Sequence, residues 1–232
     1  MGAHCSRRTN GGFLFYDFVL RGYPCAMIES GMGFVRAELA TRTLLSSLRP
    51  RLVVSVGIAG AAEEGPRVGD VVVASAACLL ESGVPGSREQ LQMPPDAALA
   101  AARAALKARG AGLHVGTAVT TRGSQQIAGD HAELPCPVLE METVGIAAAC
   151  TSAGIGLLSV RGISDTPADP SPVPIDRLVD RNFNLRRGGL ILAILKRPSL
   201  LPRLIRFGSQ GEMAATNAAI ATVAMMPFMD SD

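Results

Sequence analysis

Tryptophan is absent from this chain, and the other aromatics are scarce: seven Phe and two Tyr in 232 residues. Core volume must therefore come from Val, Leu, Ile and Ala, as buried parallel strands supply it. The five cysteines (Cys5, Cys25, Cys78, Cys136, Cys150) form no CxxC pair, and the three histidines do not cluster with them. That spacing argues against a metal site or a disulfide framework and fits a reducing cytoplasm. A net charge of +2 is too small to point to nucleic acid as a partner. No apolar run approaches the ~18 residues that would cross a bilayer. "MGAHCSRRTNGG" carries charge but no apolar stretch of the kind that follows in a signal peptide. The expectation is a cytoplasmic protein with no metal and no cofactor.

What is present is a 48% hydrophobic chain long enough for one α/β domain. A core of this size buries about 70% or more of the unfolded surface. Strand-like and helix-like segments alternate. "FLFYDFVL" and "YPCAMIES" read as two strands joined by a hairpin turn at "RGY". "GFVRAELATRTLLSSL" has Val35, Leu39, Leu44, Leu45 and Leu48 at helical spacing and stops before Pro50. "RLVVSVGIAGAA" reads as a buried strand feeding a glycine turn, and "VGDVVVASAACL" as the next strand. "PDAALAAARAALKARG" is a helix with Asp96 in its first turn and Gly110 as its stop. "LHVGTAVTT" and "CPVLEME" are strands, "TVGIAAACTSAG" a helix and "GLLSVRGIS" a strand. The alternation predicts a three-layer α/β/α domain over residues 13–232 around a central mixed, mainly parallel sheet.

In such a sheet the ligand site lies at the strands' C-terminal ends. Three segments put glycines or polar groups there. "ESGMG" offers the backbone N–H groups around Ser30 and Gly31, and "SVGIAGA" those around Gly57. "SVRGISD" ends an apolar strand in Ser164 and Asp165. An Asp there is either a helix cap or a partly desolvated acid whose raised pKa suits proton donation. Arg161, inside the same strand, needs a carboxylate or water if it points inward. Glu140 and Glu142, two apart in a strand, would share a face. Two buried carboxylates require a donor, and sugar hydroxyls are good ones.

"LEMETVGIAAAC" followed by "LLSVRGISD", with "ESGMGFVRAELATRTLL" and "VVSVGIAGAAEEGPRVGDVVVAS" upstream in the right order, resembles the purine nucleoside phosphorylase/nucleosidase superfamily. Within it the nearest likeness is to the 5′-methylthioadenosine/S-adenosylhomocysteine nucleosidases, over roughly residues 13–169. The resemblance implies that Glu142 accepts hydrogen bonds from the ribose 2′- and 3′-hydroxyls, with Met141 packed on the sugar. Asp165 would give a proton to purine N7, oriented by Ser164, and Arg161 would belong to the polar cluster around the attacking water. Base recognition would rest on groups near Thr120 and Thr121, because "AVTTRGSQQ" lacks the aromatic those nucleosidases place there. A homodimer is the expected assembly.

Two departures bear on the reaction. The family's opening strand, with its water-activating glutamate and, in phosphorylases, a phosphate-binding arginine, has no match here; Glu29 is the one nearby substitute. Ile58 stands where the family places a Ser or Thr that touches water or phosphate. Both favour hydrolysis, leaving a phosphorylase, with phosphate as co-substrate, as the alternative within enzymes. A nucleoside-binding or membrane-associated protein without turnover is the alternative outside them.

The last region differs in composition. Eight basic residues (Arg177, Arg181, Arg186, Arg187, Lys196, Arg197, Arg203, Arg206) stand against Asp180, among the apolar clusters "LILAIL" and "LLPRLIRF". Residues 177–232 thus read as a basic, apolar helical extension, either packed on the sheet or lying on an anionic membrane. This end resembles in composition the hopanoid-associated phosphorylase-like branch, proposed to remove adenine from adenosylhopane, which would make the substrate a lipid-linked purine nucleoside.

Overall fold

The computed structural model describes residues 5–123, 133–172 and 200–229. The first strands are a local antiparallel unit: β1 (Ser6–Asn10), β2 (Phe13–Leu20) and β3 (Tyr23–Ile28), in that spatial order. Arg21 (φ 52°) and Gly22 (φ 90°) make the two-residue turn between β2 and β3. Both central residues in the left-handed region is the turn that matches strand twist in a tight hairpin. The strand over Ser6–Asn10, all polar and mostly exposed, carries no apolar alternation that would have announced it.

The larger sheet is built from β4 (Leu52–Ala61), β5 (Val71–Glu81), β6 (Val84–Pro85), β7 (Glu89–Gln90), β8 (Leu113–Thr120), β9 (Pro137–Glu140) and β10 (Gly156–Asp165). Its pairing is mixed. β10 runs parallel to β4, and β8 runs parallel to both β5 and β9. β5 is antiparallel to β10, and β9 crosses β4 antiparallel at Gly60 and Ala61. Because β10 pairs with both β4 and β5, the path β10–β4–β9–β8–β5 returns to β10. The functional strand ends therefore do not share one edge, as a doubly wound parallel sheet would have placed them. They meet where β9 crosses β4.

Helices cover both faces. On one, α2 (Asp96–Lys107) and α4 (Leu200–Met225) pack Ala98, Leu106, Ala218, Ala221 and Met225 against Val71, Val73, Leu158 and Val160. On the other, α1 (Phe34–Ser47) and α3 (Thr143–Ala153) bring Ala37, Ile146, Ala147 and Cys150 onto Leu157. A short 3-10 turn, Met226–Phe228, follows α4. α2 starts after Pro95, carries Asp96 at its N-terminus and Lys107 in its last turn, and ends before Gly110 at φ 71°. α3 ends on Gly154 in the left-handed region.

The structure revises three expectations. The buried face of α1 is Ala37, Ala40, Thr41 and Leu44, while Val35 and Leu39 are exposed (66% and 56%). α3 approaches so closely that a Cβ on Gly145 would collide with the Phe34 carbonyl, and only small residues fit such a contact. β4 is not buried on both faces: Val54, Val56 and Ile58 are partly open. "SVGIAGA" is not a turn either; it stays in strand through Ala61, so Gly57 lies mid-strand. From Leu200 onward the C-terminal region is a layer of the domain rather than an appendage, since α4 packs along β10. Most of the basic residues counted above, from Arg177 to Arg197, lie outside the described residues.

Candidate active site

The site is built from the ends of β10, β8 and β9 and the start of α3. Strand β9 stops at Glu140, so Glu140 and Glu142 do not share a strand face: Glu140 turns inward and Glu142 becomes the residue preceding α3. Glu140 is 4% exposed and is the hub of a buried network. It accepts hydrogen bonds from the Thr120 hydroxyl, from the N–H groups of Glu142 (3.1 Å) and Thr143 (2.9 Å), and from the Thr143 hydroxyl (2.7 Å). Arg161 completes it with a 2.9 Å ion pair. Burial alone would raise the Glu140 pKa, but the Arg161 charge and these hydrogen bonds outweigh it and hold the carboxyl below its ordinary value.

Arg161, 1% exposed, has the acceptor it needed and more. Its Nε and one terminal nitrogen reach Glu140. The other donors go to the Ser55 hydroxyl (2.8 Å), the Ser55 and Val160 carbonyls and the Thr143 hydroxyl. A guanidinium engaged on every side is a fixed strut. Gly57 lies over it, where a Cβ would sit 3.6 Å from the guanidinium.

Glu142 is in a different position. Its Oε1 accepts from the Gly33 N–H (2.8 Å) at the start of α1, and among the described residues its Oε2 meets only the Met141 N–H at 3.3 Å. Burial and the neighbouring Glu140 charge push its pKa up. Met141 is buried beside it, 7% exposed. The SGMG turn delivering Gly33 is wrapped around Arg36, whose Nε donates to the Ser30 carbonyl (2.9 Å), while the Ser30 hydroxyl donates to Gly31. A side chain at Gly31 would run into Arg36.

Asp165 ends β10 rather than capping a helix. Its Oδ1 accepts from Ser164 (2.6 Å), whose hydroxyl also lies 3.3 Å from the Ala59 carbonyl. Its Oδ2 lies over Gly60, where a Cβ would come within 2.8 Å. Burial raises the Asp165 pKa, the Ser164 hydrogen bond draws it down, and the Asp169 charge raises it again; the net direction is up. Glu142 and Asp165 belong to separate clusters, and the register Asp165–Gly60–Leu139 links them. Two strand spacings, about 10 Å, separate the backbones of Asp165 and Leu139, three residues before Glu142.

Other expected residues fall differently. The Thr120 hydroxyl is spent on Glu140 and on the Val144 N–H, and the Thr121 N–H donates to the Glu140 carbonyl (2.7 Å). Both therefore brace β9. Glu29 is exposed and accepts from Tyr16 (2.9 Å), out on the hairpin. The Ile58 side chain points to α4, where a Cβ on Gly211 would come within 3.9 Å of it. Gly33, within "ESGMG", and Ser55 and Gly60, within "SVGIAGA", lie in segments the sequence picks out, though without individual roles; Thr143, directly after "EME", escaped it, and its signal is a hydroxyl opening a helix. Among the described residues no three His, Cys, Asp or Glu gather as a metal cage.

A family model described as "Phosphorylase superfamily" matches residues 2–196. A 5′-methylthioadenosine/S-adenosylhomocysteine nucleosidase from Actinobacillus succinogenes is 28% identical over 170 residues, covering 67% of this chain and 74% of that protein. Among solved structures, a 5′-methylthioadenosine/S-adenosylhomocysteine nucleosidase from Colwellia psychrerythraea in complex with adenine superposes with a TM-score of 0.67. It shares 20% identity and covers 97% of this chain and 86% of its own. The futalosine hydrolase of Helicobacter pylori gives a TM-score of 0.64 at 16% identity, covering 97% and 89%.

Proposed function

The chain belongs to the phosphorylase superfamily, and from that premise we propose that it cleaves the N-glycosidic bond of a purine nucleoside, adenine first, by hydrolysis. The observation that carries this reading is a pair of carboxyls with raised pKa values on either side of the β4–β9 crossing: Glu142, whose Oε2 has a single 3.3 Å contact to the Met141 N–H, and Asp165, whose Oδ1 takes the Ser164 hydroxyl while its Oδ2 lies over Gly60. Asp165 protonates N7, so the base leaves neutral as the C1′–N9 electron pair passes to the purine. Glu142 accepts the ribose hydroxyls and favours positive charge on the sugar. A water oxygen then bonds to C1′ and its proton is released. Arg161 acts through Glu140, holding the β9–α3 junction that presents Met141 and Glu142.

Hydrolysis is favoured over phosphorolysis because Arg161, the buried cation nearest this junction, is neutralised by Glu140. The 28% identical relative is itself a nucleosidase. The test is adenine release from adenosine and its 5′-thio derivatives, with and without phosphate. Free ribose as product, independent of phosphate, is expected. Ribose 1-phosphate would overturn the hydrolytic reading, and adenine binding without release would leave a nucleoside-binding protein.

The finer substrate reading is a purine nucleoside with a lipid at its 5′ end, handled at an anionic membrane surface. It is supported by Ile205, 65% exposed between Arg203 and Arg206 at the start of α4. Co-sedimentation with anionic but not neutral vesicles is expected; equal binding to both, or none, counts against it. The exposed Val35 and Leu39 of α1 offer an apolar face to a second copy, consistent with a cytoplasmic homodimer, and sedimentation equilibrium tests that assembly.

A further inference from the structure

Two polar residues, exposed Arg206 and half-buried Gln210, precede the buried stripe of α4. Ala214, Asn217, Ala218, Ala221 and Met225 face β10 and α2. One and two turns earlier, the same seam presents Gln210 and Arg206. Both donate to one oxygen, Oδ2 of Asp169, each at 2.6 Å. Asp169 is not a free surface acid. It closes a tight bridge with Thr166, accepting from the Thr166 N–H (3.2 Å) and donating its own N–H to the Thr166 carbonyl (3.0 Å) and hydroxyl (3.2 Å). Thr166 follows Asp165 directly. The loop leaving the proton-donating residue is thus closed on itself and then tied to α4.

We propose that Asp169 is a positioning residue for Asp165, stationed by Arg206 and Gln210, so that α4 fixes the charge held in the bridge that directly follows the proton-donating residue. The inference rests on the role given to Asp165 above. An anionic neighbour favours the protonated form of a carboxyl, and a cation bonded to that neighbour tempers the effect. Among the described residues, the other elements around Asp165 leave this arrangement in control. β10 supplies the Ser164 hydroxyl, and β4 supplies only the backbone of Ala59 and Gly60. The turn before β5 brings Arg67 and Asp70, but the Asp70 carboxylate is turned to the Arg67 and Gly112 N–H groups and to His114. Glu140 and Glu142 belong to the Arg161 cluster across the crossing.

The charges predict shifts of opposite sign. In the full chain, Asp169→Asn removes the anion, so the Asp165 ionisation midpoint falls. Arg206→Gln keeps a donor but removes the cation, so the midpoint rises. Arg206→Lys, which restores charge, returns it toward the parent value. Carboxyl carbon-13 NMR, with Asp165 assigned by Asp165→Asn, reads these midpoints without any turnover. The high-pH limb of kcat/KM is expected to move with them, down for Asp169→Asn and up for Arg206→Gln. Midpoints that stay put, or that move together in both variants, overturn the proposal and leave Asp169 as a staple for α4. Absence of adenine release by the parent chain overturns the functional reading instead and leaves the NMR result standing.

Discussion

Glu140 and Asp165 are both carboxyls withdrawn from water, yet their surroundings drive them in opposite directions. Burial opposes ionisation at both, but at Glu140 a guanidinium and several N–H and O–H donors reverse it. At Asp165 a single serine hydroxyl stands against burial and the Asp169 charge. The consequences for mutation differ. Asp165→Asn is expected to cost on the order of 10²-fold or more in adenine release. It should not lower Tm: a group whose folded pKa is raised contributes stability below its unfolded pKa and loses it as pH rises through the folded one. The amide is therefore at least as stable at neutral pH, and near-parent turnover would reject the assigned role. Glu140→Gln leaves Arg161 charged and 1% exposed without its counter-ion. Breaking one side of a buried pair costs about 3–5 kcal/mol, read from the urea midpoint; a change under about 1 kcal/mol would show the pair to be dispensable.

At the level of elements, two glycines set how closely helices approach the rest of the fold. A Cβ on Gly162 in β10 would collide with the Ala214 carbonyl of α4, and one on Gly145 in α3 with the Phe34 carbonyl of α1. Both obstacles are backbone, so the helix as a whole must move. Gly162→Ala and Gly145→Ala are each expected to destabilise by about 1–3 kcal/mol, as overpacking does. The functional effects separate. Gly162→Ala displaces α4, which holds Asp169, whereas Gly145→Ala displaces α1, whose Gly33 N–H holds Glu142. The first is expected to act mainly on kcat and the second mainly on KM; steady-state kinetics on both variants tests the division.

For the molecule as a whole, acid lability follows from the two carboxyls with depressed pKa values. Asp70 would be raised by burial, but the Arg67 and Gly112 N–H groups and His114 more than compensate. Its stabilisation, like that of Glu140, is present above the unfolded carboxyl pKa of about 4 and is lost as pH falls through the lower folded value. Glu142 and Asp165 act in the reverse sense, losing their contribution as pH rises through their raised values. Tm is therefore expected to peak at mildly acidic pH and drop steeply below the carboxyl range. Asp70→Asn should shallow that acid limb; an unchanged limb would show that other groups govern it. Among the described residues no helix is long and apolar enough to cross a membrane.

Much of this was written into local sequence. The hairpin at Arg21–Gly22, the ends of α2 and α3, the strand ending in Ser164–Asp165 and the order of the longer elements from β2 to β10 follow from turn residues and periodicity, which act over a few positions; β1, β6 and β7 carry no such signal. The family likeness carried by "LEMETVGIA" and "RGISD" agrees with the match over residues 2–196. What only the tertiary structure decided is which polar groups meet. Arg161 and Glu140 stand 21 residues apart, Gly33 and Glu142 109, and Gln210 and Asp169 41. Periodicity assigns a residue to a face, but strand register and helix approach choose its partner. Here the end of β9 at Glu140 gave two glutamates, separated by one residue, different fates: Glu140 is the hub of the Arg161 network, and Glu142 precedes α3 with only backbone N–H partners among the described residues.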